Sequence, residues 1–431
     1  MGPLISTWRD YRDAAGAFSR PARLFLLSSL LVWAGFGVNQ VLFNLYLVEA
    51  GFGEAFVGRA VSLNGLGLAL AALPAGLLAD RWGRRRSLML GAVLDGVALL
   101  IRCMVVEPGL LLGASFLAGV GQSVLAIAAA PFLTEHSGAR ERTHLFSAFL
   151  ATELLAAVVG NLLGGWLPAA LRHLPDAARP DMFHAYRVTL VLGAAIQLVG
   201  VIPLMAMRGL REMSLSRERT TADRQATRRI WPIAINALCI GAGAGLVIPF
   251  MNLYFKSRFD CSSAQIGMFF SLAQVSTAFA ALLGPAVAGR LGTLRTAIAL
   301  QLLSLPFLVT LGAERNLEIA VVAFWFRATL MQASTPLLMA FIMEVLPPSL
   351  RSRASSFVNL LWNAGWAVSA TSSGLLIQHY GYAVPFYVTA TLYGSAAIGF
   401  YFAMRGTRPH PVEPPLPGEA RGLRGEGPMT E

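Results

Sequence analysis

The stretch GFGVNQVLFNLYL at residues 35–47 returns in altered form as GAGAGLVIPFMNLYF at residues 241–255. Asn44-Leu45-Tyr46 matches Asn252-Leu253-Tyr254 at an offset of 208 residues. One inserted residue later the offset becomes 209 and holds over a long range. Gly58 falls on Gly267, Gly83 on Gly292, Arg86 on Arg295 and Glu135 on Glu344, and, at an offset of 211, the pair Arg140/Arg142 corresponds to Arg351/Arg353. Matches kept in one register over this length identify two copies of one structural unit.

The composition says what that unit is. Of 431 residues 55% are hydrophobic and 13% charged, and the mean hydropathy is +0.60. A soluble chain carries about 25% charged residues. Apolar residues run in blocks of about 20, enough at 1.5 Å per residue to cross a hydrocarbon layer of roughly 30 Å. They do not form the narrow stripes of a water-facing helix. Twelve helices are predicted, at roughly 22–48, 55–79, 86–106, 109–133, 144–168, 186–207, 230–255, 264–289, 294–312, 316–343, 354–378 and 381–404, six in each copy. The first lacks a small-residue cleavage site and is read as a retained span, not a signal peptide.

The fold class is therefore an all-α membrane protein of twelve transmembrane helices in two pseudo-symmetric six-helix halves. Six crossings give both copies one orientation, related by an axis along the membrane normal, with a pathway between them. The expected segments are an N-terminal stretch (1–21), the first bundle (22–207), a basic linker (208–229), the second bundle (230–404) and a Pro/Gly-rich tail (405–431) read as disordered. Trp8, Tyr11 and Phe18 are spaced for a short amphipathic helix on the membrane surface, a flexible basic tail being the alternative.

A net charge of +11 does not point to nucleic acid. Most of the 34 Lys and Arg lie in the N-terminal stretch, the loops after even-numbered helices and the tail. By the positive-inside rule both termini are cytoplasmic, in a multi-pass protein of a bacterial-type inner membrane. Cys103, Cys239 and Cys261 are scattered, with neither a metal-ligand spacing nor a disulfide framework, so no metal or cofactor is expected. No nucleotide-binding glycine loop occurs and no catalytic cluster lies within the helices, so neither direct ATP use nor an enzyme is expected.

After the second helix comes Gly76-Leu-Leu-Ala-Asp80-Arg81-Trp-Gly83-Arg84-Arg85-Arg86-Ser-Leu88. Gly76 lets a neighbour approach, Asp80 can accept from arginines or cap another helix, and Gly83 permits a tight turn. The arginines suit an anionic leaflet. This segment resembles the signature loop of the major facilitator superfamily, and the second half keeps a degenerate copy from Gly284 to Arg295 with Gly289 at the place of Asp80. The resemblance implies a secondary transporter working by alternating access. It implies a gate made of Gly76, Asp80, Arg81, Gly83, Arg84 and Arg85, with Asp80 touching the start of helix 11 in the outward-facing state. Glu135 with Arg140 and Arg142, and Glu344 with Arg351 and Arg353, would be companion charge clusters. Solvated loop charge is the plainer reading of each.

Ionisable groups within the membrane are costly and informative. Glu153 lies 11 residues past Arg142, about 16 Å in, and Asp95 nine past Arg86, about 13 Å in. Arg102 shares a face with Asp95, and Arg327 lies 12 residues past Arg315. Low dielectric disfavours a charged carboxyl, so Glu153 can take up and release a proton as its access changes. The resemblance sets helices 5 and 10 on a central cavity. That leaves open a Glu153–Arg327 pair, an anionic solute on Arg327, or a static ion pair. Helix 3 is peripheral in that fold, which favours a structural reading of Asp95 and Arg102, with Asp95 kept among the proton-coupling or solute candidates.

Helix 11 presents Asn359, Asn363, Trp366 and Ser373 beside Trp362, a stripe suited to a solute or to interhelical hydrogen bonds. Gln274 and Thr277, and Asn39 and Gln40, are weaker lining candidates, while Asn44 and Asn252 are read as structural. Gly160-Asn161-Leu-Leu-Gly164-Gly165 resembles an antiporter signature with Asn161 in place of proline. Ser115-x-x-x-Gly119-x-Gly121 resembles a proton-coupled exporter motif lacking its arginine. The reading adopted is a monomer in the lipid bilayer that exports amphipathic small molecules against protons or another coupling ion. Uptake of a small metabolite and a non-transporting sensor are the alternatives.

Overall fold

Lipid offers backbone groups no hydrogen bonds, so a chain of this composition must satisfy them within helices. The computed structural model describes residues 18–138, 141–174, 180–207 and 224–407, the side chains at 224–229, 281–287, 348–349 and 351–353 excepted. Trp8, Tyr11, Arg140, residues 208–223 of the linker and the tail from 408 lie outside the described residues, as do the side chains of Arg351 and Arg353.

The first six helices are α1 (Arg20–Glu49), α2 (Glu54–Trp82), α3 (Arg84–Met104), α4 (Pro108–Glu135), α5 (Arg142–Leu171) and α6 (Met182–Val199, continued as Val201–Met205). The second six are α7 (Arg224–Val247, continued through a 3-10 turn at Ile248–Phe250 into Met251–Phe259), α8 (Ser263–Leu291), α9 (Thr293–Ala313), α10 (Leu317–Val345), α11 (Pro348–Tyr380) and α12 (Ala383–Met404). Among the described residues ten are long and apolar enough to cross a membrane. The other two, α8 and α11, are 29 and 33 residues long, and α11 carries the polar stripe.

The predicted loop between helices 2 and 3 shrinks to one residue. Gly83, at φ 91°, ends α2 and caps α3, and Gly292, at φ 87°, does the same between α8 and α9. Only glycine takes this conformation without cost. Phe18 does not lie on a surface helix. It is 7% exposed, packed in the core at the end of the first half that carries these arginines, hereafter the basic end. Ser19 then starts α1, accepting from Ala22 N.

The duplication is visible bond by bond. Tyr46 Oη donates to the Cys103 carbonyl at 3.0 Å, and its counterpart Tyr254 donates to Leu311 at 2.7 Å. Between the halves the bonds are reciprocal. Asn44 Nδ2 donates to the Pro249 carbonyl at 2.5 Å, and Asn252 Nδ2 to the Val41 carbonyl at 2.9 Å. Ser62 Oγ donates to Ala367 O, and its equivalent Ser271 Oγ to Val158 O at 3.2 Å. Each pair is one contact seen from both sides of a pseudo-two-fold axis, as in an isologous dimer.

Glycines let these helices meet. A Cβ on Gly58 would lie 2.6 Å from Ala370 O, and one on Gly267 would lie 2.4 Å from Asn161 O. These α2–α11 and α5–α8 contacts close the end of the molecule away from the basic end. Gly76 is 18 residues beyond Gly58, five full turns along the same face of α2, and among the described residues nothing lies within 4 Å of its Cβ position. Gly289 stands 18 residues beyond Ser271 on α8 and is equally open. Among the described residues, faces joined at the far end have no such contact at the basic end.

Candidate solute cavity and gate

The gate residues make their contacts within the first half. Arg84 Nη2 sits 2.7 Å from Asp80 Oδ1, and Arg84 Nε 3.3 Å from Glu135 Oε1. Arg85 donates to the Leu204 and Met205 carbonyls, each at 2.8 Å, tying α3 to the end of α6. Asp80 keeps 53% of its side chain exposed, and Arg81 is exposed. Among the described residues Asp80 pairs with Arg84 of its own half, and most side chains at the start of α11, its expected partner, lie outside them. Arg142 turns to Ser137 Oγ. The second half does not repeat the Arg84–Glu135 bridge, because Thr293 stands at the place of Arg84. Glu344 instead borders an open cavity of about 380 Å³ with Arg295 and Arg405. Among the described residues Glu135 and Glu344 thus have different neighbours, while Arg140 and the side chains of Arg351 and Arg353 lie outside them.

A second cavity, of about 390 Å³, lies inside the first half, walled by residues from all six of its helices. Phe25, Leu88 and Leu204 line it toward the basic end, and Trp33 and Phe36 line it deeper in. Its acidic groups are Asp95 on α3 and Glu153 on α5, and no Lys, Arg or His lines it among the described residues. The Trp33 indole lines the same cavity as Glu153.

Asp95 is 4% exposed. Gln122 Nε2 donates to its Oδ1 at 3.2 Å and Gln197 Nε2 to its Oδ2 at 2.5 Å. Asp95 lies on a helix that the resemblance set at the periphery, yet its face of α3 turns into the bundle and reaches the cavity. Arg102 does not pair with it. Its guanidinium lies over the Phe43 ring at 4.4 Å and its Nε has no partner. Gln122 and Gln197 were not singled out in the sequence. A signal for Gln122 existed: a Cβ on the adjacent Gly121 would lie 2.6 Å from Asp95 N, so that glycine brings α4 against α3.

Glu153 and Arg327 do not pair in this arrangement. Arg327 is buried in the second half, with Nη2 3.4 Å from Tyr393 Oη and its Nε without a partner. The other polar candidates lie outside the cavity. Asn39 has a buried Oδ1 without a partner, and Gln40 offers its backbone carbonyl to Asn252. Gln274 is half-buried on α8. On α11, Trp362 and Trp366 stack at 5.2 Å, Asn363 donates to Asn359 O at 2.8 Å, and Ser373 bonds the Leu246 carbonyl of α7. Among the described residues only Ser373 of that stripe hydrogen-bonds another helix, while Asn359 and Asn363 bond back to carbonyls of α11 itself.

Two pseudo-symmetric six-helix halves, sealed at one end and parted at the other around buried polar groups, define a multi-pass membrane transporter. The family model for the Major Facilitator Superfamily matches residues 25–232 and, a second time, 233–428. The chain belongs to the Major Facilitator Superfamily. Among solved structures it is similar to a bacterial homologue of the human lysosomal transporter Spinster in an inward-facing, unoccupied conformation, with TM-score 0.74 and 14% identity over 91% of this chain and 98% of that one. It is also similar to the nucleoside transporter NupG, with TM-score 0.73 and 14% identity over 90% and 100% of the two chains. Among curated proteins it resembles the multidrug resistance protein MdtH of Yersinia enterocolitica, 27% identical over 143 residues, and that of Photorhabdus laumondii, 29% identical over 148 residues. Each match covers 33% of this chain and 36% of the relative, so it spans about a third of the length of these proteins.

Proposed function

We propose that this protein is a proton-coupled exporter of amphipathic small molecules in a bacterial inner membrane, with the basic end and both termini in the cytoplasm. One observation carries the reading: an apolar-walled cavity that contains Glu153 and lies in a molecule sealed at the far end and parted at the basic end. With the basic end cytoplasmic, this is the inward-facing state, in which a solute enters from the cytoplasm or the inner leaflet. Glu153 exchanges its proton as access alternates. The partial likeness to multidrug resistance proteins agrees with export. Arg84, held by Asp80 and Glu135, is the gate element released toward α11 when the basic end closes.

Reconstituted vesicles with an imposed pH gradient test this. Gradient-driven flux of an amphipathic solute is expected in the unaltered protein and lost in Glu153→Gln, while gradient-independent exchange persists. Flux equally dependent on the gradient in both proteins removes Glu153 from coupling.

A further inference from the structure

The cavity of the first half holds two carboxyl groups and, among the described residues, no Lys, Arg or His; the sequence made both candidates and favoured Glu153. Asp95 is the more enclosed of the two. Both of its oxygens are occupied by amide donors from different helices, Gln122 on α4 and Gln197 on α6. Such donors orient a carboxyl group without neutralising it. The charged groups near Asp95 are few. On α3 itself Arg102 is turned to Phe43. On α6 Arg187 is committed to the carbonyls of Cys103 and Met104 at the far end. From α5 Glu153 faces the same cavity, and α1 contributes Trp33. Nothing cationic bonds either carboxyl group.

Two carboxylates without a bonded cation are costly in an apolar space of low dielectric. Each is relieved by holding a proton or by a positive charge brought into the cavity, and on Asp95 the charge of Arg102 acts through space as well, without a bond. Protons and a cationic solute then compete for the same two positions. A neutral or anionic amphiphile would gain apolar contact but displace no proton.

We propose that Asp95 is a second ion-exchanging carboxyl group of this cavity, and that the cavity takes organic cations with apolar bodies, each bound positive charge displacing one proton from Asp95 or Glu153. The exchange is balanced: a carboxylic acid and a cation become a carboxylate–cation pair and a free proton. This rests on the transport reading above and adds to it the substrate class and the proton count.

The test uses purified full-length protein in weakly buffered detergent, with a pH indicator and tryptophan fluorescence. The probes are tetraphenylphosphonium, its near-isosteric anion tetraphenylborate, and the dication methyl viologen. The phosphonium is expected to bind at least tenfold more tightly than the borate and to release about one proton, and the viologen to release about two. Asp95→Asn and Glu153→Gln should each reduce the viologen release to about one, and the double variant should abolish it. Equal binding of phosphonium and borate to the unaltered protein overturns the proposal without recourse to any variant. Viologen release that stays at about two protons in folded Asp95→Asn also overturns it. If neutral amphiphiles are still pumped by a pH gradient after such a result, only this inference falls. If no gradient-driven flux is found for any solute, the transport reading falls with it.

Discussion

Replacing Gly58 by alanine should push the molecule out of the conformation described above. The new methyl carbon would sit 2.6 Å from the Ala370 carbonyl oxygen and 3.2 Å from Gly374 Cα, both backbone atoms that no rotamer change can move. α2 and α11 must part at the far end or accept overpacking of about 1–3 kcal/mol. The state open at that end does not meet this clash, so the equilibrium should shift toward it by roughly 5- to 150-fold. The duplication supplies an internal control. In Gly267→Ala the Cβ meets Asn161 O at 2.4 Å and Gly165 Cα at 3.0 Å in the α5–α8 contact, and a similar shift is expected. The two contacts are separate, so the double variant should come close to additive. Double electron–electron resonance between spin labels at His173 and Tyr380, exposed positions at the far end of each half, reads the opening directly. Unchanged distance distributions in both folded variants would refute the glycine seal as a determinant of the equilibrium.

The reciprocal asparagine bonds should be worth similar amounts. Asn44→Ala and Asn252→Ala each remove a cross-half bond of about 0.6–1.7 kcal/mol and should lower the Tm in detergent by comparable steps, whereas a loss confined to one would contradict the pseudo-two-fold arrangement. Outside the membrane, Glu107 caps α4 by accepting from Gly109 N at 2.9 Å and Leu110 N at 2.6 Å. The Leu110 and Gly109 amides hold its carboxyl below the usual glutamate range. A lowered folded value means the contribution is present above the ordinary glutamate range and is lost as pH falls through the folded value. The Tm difference between the unaltered protein and Glu107→Gln should therefore shrink on acidification; a difference that grows instead would refute the cap.

Much of the architecture was legible before any coordinates. Helix number follows from the length of apolar blocks, which reports on lipid thickness alone. Gly83 was readable as a turn because the need for positive φ is local, and its repeat at Gly292 confirmed the register. The limits were equally physical. The resemblance set the helix of Asp95 at the periphery, and a heptad-spaced pair on α3 does not say which way that face turns. Only the close approach of α4 at Gly121 turned it inward. Asn44 and Asn252 were correctly read as structural, but their partners lie on the other half. The hydrogen-bonded couple is a property of two surfaces meeting.

From the sequence alone came the membrane, the twelve helices, the duplication and the superfamily resemblance, because each is written in composition, spacing or a contiguous motif. The tertiary structure decided which end is sealed, that Arg84 bridges Asp80 and Glu135 within one half, and that Asp95 and Glu153 share a cavity. Those facts depend on helix rotation and on contacts between residues scores of positions apart. Rotating a helix by half a turn moves a carboxyl group from cavity to lipid without changing a single letter of the sequence.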